Sequence, residues 1–236
     1  MRRADRLFQI VQLIRGRRLS TAAFLAERLE VPLRERNRLL TAAGYAPMYR
    51  EHALADPEMH APAQAVQRVL KAHEPYPALA VDRHWNMVAC NRLVPLLLQG
   101  LPQPLLGPPL NVLRASLHSQ GLAPRIANLA AWRAHLLHRL RQQVQATADP
   151  VLAELAEELR GYAPPQAEPA DPLRGDGHVY VPLQLRNGGG VLNFISTVTV
   201  FGTPTDITLS ELALETFFPA DEATAGALHQ LARTLA

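Results

Sequence analysis

Residues 178–218 read HVYVPLQLRNGGGVLNFISTVTVFGTPTDITLSELALETFF. Val179, Val181, Leu183 and Leu185 alternate with Tyr180, Pro182, Gln184 and Arg186. That is period two, so the stretch predicts a strand with one face toward a core. Asn187 and Gly188–Gly190 supply the positive φ values a hairpin turn needs. Val191 to Phe201 is apolar and β-branched, a second strand long enough to cross a whole sheet. Phe194, Ser196, Val198 and Val200 then share one face, and Thr197 and Thr199 the other. A turn at Gly202–Pro204 follows, after which Leu209, Leu212, Ala213, Thr216 and Phe217 suit either a third strand or a short helix.

The remaining residues must cover this sheet. A chain of 236 residues, 48% hydrophobic, can build a core. No apolar run reaches the roughly 18–20 residues of a membrane span, and residues 1–19 are too charged for a signal peptide. A soluble cytoplasmic protein is expected. Cys90 is the only cysteine, which excludes an intrachain disulfide and a cysteine-rich zinc site. Charge is uneven: the first 43 residues hold ten arginines and four acids, a surplus of six, while the whole chain carries only +3. A basic head on a mildly acidic body points to a polyanion-binding module joined to something else.

The head has helical spacing. Leu7, Ile10, Val11 and Ile14 mark a first helix over residues 4–15, and Ala22, Leu25, Ala26 and Leu29 a second opened by Ser20 or Thr21. Pro32 opens a third, lined by Leu33, Leu39, Leu40 and Ala43 and stopped by Gly44. Three short helices rich in arginine suit a helix-turn-helix on double-stranded DNA. Arg2, Arg3, Arg6, Arg17 and Arg18 are the expected phosphate contacts, and Arg34, Arg36, Asn37 and Arg38 the candidates to enter a groove.

In the body, Ala63–His73 predicts a helix, Leu79–Val81 and Asn86–Ala89 strands about a turn at Asp82–Trp85, and Asn91 the cap of a helix over residues 92–99. Prolines bar regular structure over Leu101–Pro109. Helices follow at Asn111–His118, at Leu129–Gln145 with Trp132, Leu136, Leu137 and Leu140 inward, and at Val151–Leu159. Residues 161–177 read as a surface loop. With the strands of the opening stretch, an antiparallel sheet of about five strands is complete.

RRADRLFQIVQLIRGRRLSTAAFLAERLEV, residues 2–31, resembles the opening helices of DeoR-like, YafY-type winged helix-turn-helix regulators. The likeness ends there: that family continues with a Ser/Thr-Arg-Thr-x-Tyr-Arg-Asp recognition helix, and this chain with PLRERNRLLTAAGYAP. From Pro32 on, LRERNRLLTAAGYAP, HEPYPALAVDRHWNMVACN, NVLRASLH, GLAPRIANL and STVTVFGTPTDITLSELALETFFPADEAT resemble the MmyB-like ligand-binding domain of XRE-type transcription regulators. Such proteins carry a complete XRE headpiece upstream, whose Gly-Leu-Arg-Arg-Glu-Glu-Val and Tyr-x-x-Leu-Glu-Gln-Gly motifs are absent here. The resemblance implies an α+β fold: a helix-turn-helix-like head over residues 1–44, incomplete relative to either family, then a PAS-like antiparallel sheet covered by helices over residues 45–236. It also implies a transcription regulator, dimeric on its operator, that senses a small amphipathic, fatty-acid-like ligand. The alternative is a ligand-binding or interaction module without specific DNA binding.

Enzyme signatures are missing: there is no G-x-G-x-x-G, phosphate loop, G-x-S-x-G elbow or H-E-x-x-H. His135 and His138 lack a third ligand, so no metal site or cofactor is expected. Polar residues set in apolar sequence are the candidates for ligand binding. Arg114 and His118 lie four apart, where a guanidinium and an imidazole on one helical face could hold an anionic head group. Asn91, Asn128, Trp85, Phe194 and Thr197 complete the set.

Overall fold

The hairpin forms as its composition demands. Leu183–Asn187 and Gly190–Val200 pair antiparallel, with Leu185 opposite Leu192 and Leu183 opposite Phe194. Leu185, Leu192 and Phe194 are all buried on the same face. The chain is described by a computed structural model that covers residues 31–42, 44–162, 180–188 and 190–235. The helices expected over 4–15 and 21–29, almost all of the loop over 161–177, and His178 and Val179 lie outside the described residues.

In chain order these residues form α1 (Leu33–Ala42), a 3₁₀ turn at Pro57–Met59, α2 (His60–Ala72), β1 (Ala78–Val81), β2 (Met87–Cys90), α3 (Leu93–Leu97) and α4 (Gln103–Leu106). There follow α5 (Val112–Leu117), a 3₁₀ turn at Ala123–Arg125, α6 (Leu129–Thr147), α7 (Pro150–Gly161), β3 (Leu183–Asn187), β4 (Gly190–Val200), α8 (Ile207–Ser210), β5 (Ala213–Pro219) and α9 (Glu222–Arg233). The fold is α+β, with one five-stranded antiparallel sheet in the order β2-β1-β5-β4-β3.

Several expectations need correction. The segment that suited either a strand or a helix is both: one turn, α8, capped by the Asp206 carboxylate, which accepts from Leu209 N at 3.2 Å, and then β5. The middle strand of the sheet is β5, with β1 on one side of it and β4 on the other. The proline-rich stretch at 101–109 holds the single turn α4, because Pro104 sits in its first turn, where no N–H is required. In α1, Leu33 and Leu40 are buried but Leu39 is exposed; residues seven apart return to one face and Leu39 turns away. The helix α9 carried no expectation; Asp221 caps it by accepting from Thr224 N at 2.7 Å, and the buried Thr224 hydroxyl accepts from Asn193 N of β4 at 2.9 Å.

Two layers of helix cover the sheet. On one face α2 packs Val66 and Leu70 against Ala78 and Ala80 of β1 and Leu212 and Leu214 at β5. On the other, Trp132, Leu136, Leu137 and Leu140 of α6 and Leu152, Leu155 and Leu159 of α7 meet Leu185, Leu192 and Phe194. The buried Asn91 ties the first layer to the sheet. Its Nδ2 donates to Leu70 O (3.2 Å) and Tyr76 O (2.7 Å), and its Oδ1 accepts from Ala78 N (3.2 Å) and Leu93 N (3.3 Å).

Two substitutions test this packing. Leu140→Ala, at a site with no solvent exposure, is expected to cost about 3 kcal/mol through the void it leaves. Asn91→Ala is expected to cost about 2 kcal/mol through the backbone groups it orphans. Chemical denaturation measures both, and losses under about 0.5 kcal/mol, the level of an ordinary surface change, would contradict the packing described.

Candidate functional site

The turn between β1 and β2 is built by Asp82, whose Oδ1 accepts from His84 N (2.8 Å) and Asn86 N (2.9 Å). This folds Trp85 into the left-handed region, φ +67°. For a bulky residue that conformation costs on the order of 1–2 kcal/mol, so the surroundings must hold it. They do. The indole is buried, its Nε1 donates to Gln143 Oε1 of α6 at 2.6 Å, and the Arg139 guanidinium lies over its ring at 4.7 Å from the centroid. Arg139 Nη2 donates in turn to Glu215 Oε1 of β5 at 2.8 Å. Glu215 is only 6% exposed, a carboxylate in the middle strand of the sheet.

These residues line a cavity of about 330 Å³, at the lower end of what small-molecule sites occupy. Its apolar floor comes from Val81, Ala213, Val198 and Val200 on one sheet face, with Leu152 of α7 beside them. Val198 and Val200 belong to the strand face expected from period two, yet are 45% and 60% exposed, because the helices that bury Phe194 do not cover this end of β4. Polar groups ring the mouth: Arg83, Asp149, Glu211, and Arg34, Glu35 and Arg38 of α1, with Pro32 just ahead of that helix also in the lining.

An ion-pair network joins the parts of this rim. Arg34 donates from Nε and Nη2 to Glu211 (2.7 and 2.9 Å) and also pairs with Glu51. Arg83 lies 3.6 Å from Asp149 and 3.8 Å from Glu211, and His84 Nε2 is 3.0 Å from Asp149 Oδ2. Helix α1, the β1–β2 turn and the start of α7 therefore share carboxylates. The hydrogen bond from Arg34 holds the Glu51 carboxyl below the usual carboxylate range, with burial opposing, and Arg34 itself is raised well above an ordinary arginine by Glu211 and Glu51.

Of the residues expected from sequence to meet a ligand, Trp85 lines the cavity; the structure places the others elsewhere. Asn91 is engaged as described. Asn128 clamps β3, with Nδ2 donating to Pro182 O (2.8 Å) and Oδ1 accepting from Gln184 N (3.2 Å). Phe194 packs edge-to-face on Phe217 in the core, and the Thr197 hydroxyl meets Thr216 at 2.6 Å on the sheet face away from the cavity. Helix α5 ends at Leu117, so His118 leaves it in extended conformation. Arg114 instead forks onto Glu158 (2.8 and 2.7 Å), which also accepts from the Tyr162 hydroxyl, and His118 stands edge-on to Tyr162. The carboxylate these two were expected to hold is supplied by the protein. Burial and Glu158 together push the Tyr162 hydroxyl up to about 12.

Of the groove candidates, Arg34 is taken by the network. Arg36 Nε donates to Val31 O (2.7 Å), and Asn37 makes three hydrogen bonds to the backbone of Met48 and Tyr49. Arg38 pairs with Glu35 and keeps its side chain 63% exposed. Arg2, Arg3, Arg6, Arg17 and Arg18 lie outside the described residues. Sequence reading missed Arg139, Gln143, Glu211 and Glu215. The one available signal was Glu215, a charge inside the apolar run LALETFF. Among the described residues no three His, Cys, Asp or Glu side chains gather as a metal site, and no helix is long and apolar enough to cross a membrane.

The sheet order, the helical cover and the cavity between them can now be set against known families. The model of the MmyB-like transcription regulator ligand-binding domain matches residues 62–231. The chain belongs to this family. No curated protein matches the chain. The matched region of the MmyB-like domain spans α2 through most of α9 and contains the Trp85, Arg139 and Glu215 assembly; α1, whose residues complete the cavity mouth, lies ahead of it.

The network yields a pH prediction. A carboxyl held low in the folded state contributes stability above its unfolded pKa of about 4.3, and that contribution is lost as pH falls through the lower folded value. Hydrogen-exchange protection of α1 is therefore expected to fall on acidification below about pH 4 while that of α6 persists, and Arg34→Met should abolish the difference. Equal loss in both helices would contradict the role given to Glu51.

Proposed function

We propose that this protein is a cytoplasmic transcription regulator in which residues 45–236 sense a small amphipathic, fatty-acid-like ligand and residues 1–44 contact double-stranded DNA as part of a homodimer. The family supports a regulator's ligand-binding domain. The observation that carries the mechanism is that the cavity mouth is completed by Pro32, Arg34, Glu35 and Arg38, residues of the element that leads from the basic head into the body. A ligand entering between the sheet and α6 displaces or tightens that element. Occupancy thereby changes how the head is held, provided the ligand binds the two arrangements with different affinity. DNA contact falls to Arg2, Arg3, Arg6, Arg17 and Arg18 together with the exposed Arg38.

A second reading, a sensing or interaction module without specific DNA binding, is favoured by the engagement of Arg34, Arg36 and Asn37 in intramolecular bonds. Duplex DNA titrated against salt separates the two. The regulator should lose affinity at about 0.9 log units per decade of salt for each phosphate contact, whereas silence at low salt selects the module.

For the cavity, dodecanoate at a hundredfold excess over its Kd is expected to add about 2.7 kcal/mol of stability, a rise of about 5–10 °C in Tm for a chain of this size. Val198→Trp, which fills the cavity from an exposed position, should abolish the rise. Arg34→Met should remove any response of DNA affinity to dodecanoate. A rise unaffected by Val198→Trp places the ligand elsewhere.

A further inference from the structure

The sheet has two flanking strands, and the chain covers both. Along β2, Met87 N donates to Leu110 O at 2.8 Å and Asn86 bridges Asn111; along β3, Ala127 N donates to Gln184 O at 2.7 Å and Ile126 bridges Leu185. One length of edge stays open among the described residues. β3 pairs with β4 only as far as Leu183 opposite Phe194, whereas β5 follows β4 to Val200, so residues 195–200 have a strand neighbour on one side alone. Asn187 opposite Gly190 closes the hairpin, so Gly190 and every second residue after it turn their backbone N–H and C=O toward the β3 side. The odd-numbered residues face the other way, as Ala220 N donating to Asn193 O at 2.8 Å shows. Ser196, Val198 and Val200 therefore offer their backbone groups to the open edge.

We propose that this edge is where two copies of the chain join, residues 196–200 of one pairing antiparallel with residues 196–200 of the other about a twofold axis at Val198. The inference rests on the homodimer of the reading above and names the surface that forms it. Open edges in native sheets are blunted by charge, proline or a bulge. Residues 195–200 hold no charge, proline or glycine, and Thr197 to Val200 are exposed one after another, Val198 and Val200 at 45% and 60%. The sequence is nearly palindromic about Val198, so the pairing sets Val198 opposite its own copy, Thr197 opposite Thr199 and Ser196 opposite Val200. Charge selects the same occupant. Residues 190–205 are uncharged, so two copies meet with no like charges facing each other, while an acidic or basic segment finds no counter-charge. Residues 163–172 of the chain hold four prolines, which cannot donate to a ladder. The strand ends at Val200 and the chain bends at Gly202, so the second copy turns off before it meets β3. Because Val198 and Val200 also line the cavity, the second copy walls the side of it that one chain leaves open.

Sedimentation equilibrium of the full-length protein, without DNA, tests this. Val198→Pro removes an N–H that faces the open edge and not β5, so circular dichroism should stay that of the wild type while the dimer dissociation constant rises about tenfold or more. Val200→Lys, which deletes no backbone group, should weaken the dimer to a similar degree by setting a charge on the edge. Val191→Lys, 41% exposed at the other end of β4, should leave it unchanged. A covalent arm checks the register. In a Cys90→Ser background, Val198→Cys puts two thiols at the twofold axis with Cα atoms about 5.5 Å apart, within disulfide reach. Mild oxidation should then link the dimer, and Val191→Cys should not. A dimer that neither Val198→Pro nor Val200→Lys weakens and that Val198→Cys does not link overturns the interface while leaving the homodimer itself standing. A wild type that stays monomeric at every concentration overturns both.

Discussion

A carboxylate in the middle strand of a sheet must be paired, since an isolated buried charge costs several kcal/mol. Glu215 is such a group, and its partner Arg139 reaches it from α6. That one ion pair has a chain of consequences. It sets α6 across the cavity-facing side of the sheet, where Trp132, Leu136, Leu137 and Leu140 enter the core. It places a guanidinium plane over Trp85, and with Gln143 it holds the indole in a turn whose backbone would otherwise relax from the left-handed region. It also keeps polar atoms inside what would otherwise be a hydrocarbon interior, so the space beside it remains a cavity with a charged wall.

The asparagines show a different use of burial. Asn91, Asn111 and Asn128 each occupy a place where the chain passes from strand or turn to helix and where backbone groups have no ladder partner. Asn91 serves four of them, Asn128 serves one in β3 and one at Pro182 just ahead of it, and Asn111 caps α5 while donating to His84 O. A polar side chain set in apolar sequence signals burial, and buried polar groups are satisfied far more often by backbone than by ligand. Arg114, partly exposed, is engaged by a side chain instead: its fork is filled by the Glu158 carboxylate. None of these residues lines the cavity.

Charge on α1 is used in two directions. The arginine surplus of the first 43 residues suggested a surface facing DNA, but Arg34 and Arg36 point into the body, where Arg34 bridges Glu51 and Glu211. The element following the basic head is thus fastened to the same loop, Glu211, that leads into β5 and Glu215. A link between head and cavity is built from three acidic and two basic side chains, counting Arg83 and Asp149 with them.

The sequence alone was sufficient for the hairpin of β3 and β4, the helical cover of α5, α6 and α7, the five-strand sheet and the family, because period, turn chemistry and local motifs are properties of neighbouring residues. Leu185, Leu192 and Phe194 are buried as their alternation requires, and the four inward residues of α6 are the four that spacing selects. The strand order was not legible, nor was the cavity. Val81, Trp85, Arg139, Val198, Ala213 and Glu215 come from five separate elements, spread over more than 130 positions. Nothing in the spacing of any one element says that they converge. Only the tertiary structure brings β5 to the middle of the sheet and Arg139 over it.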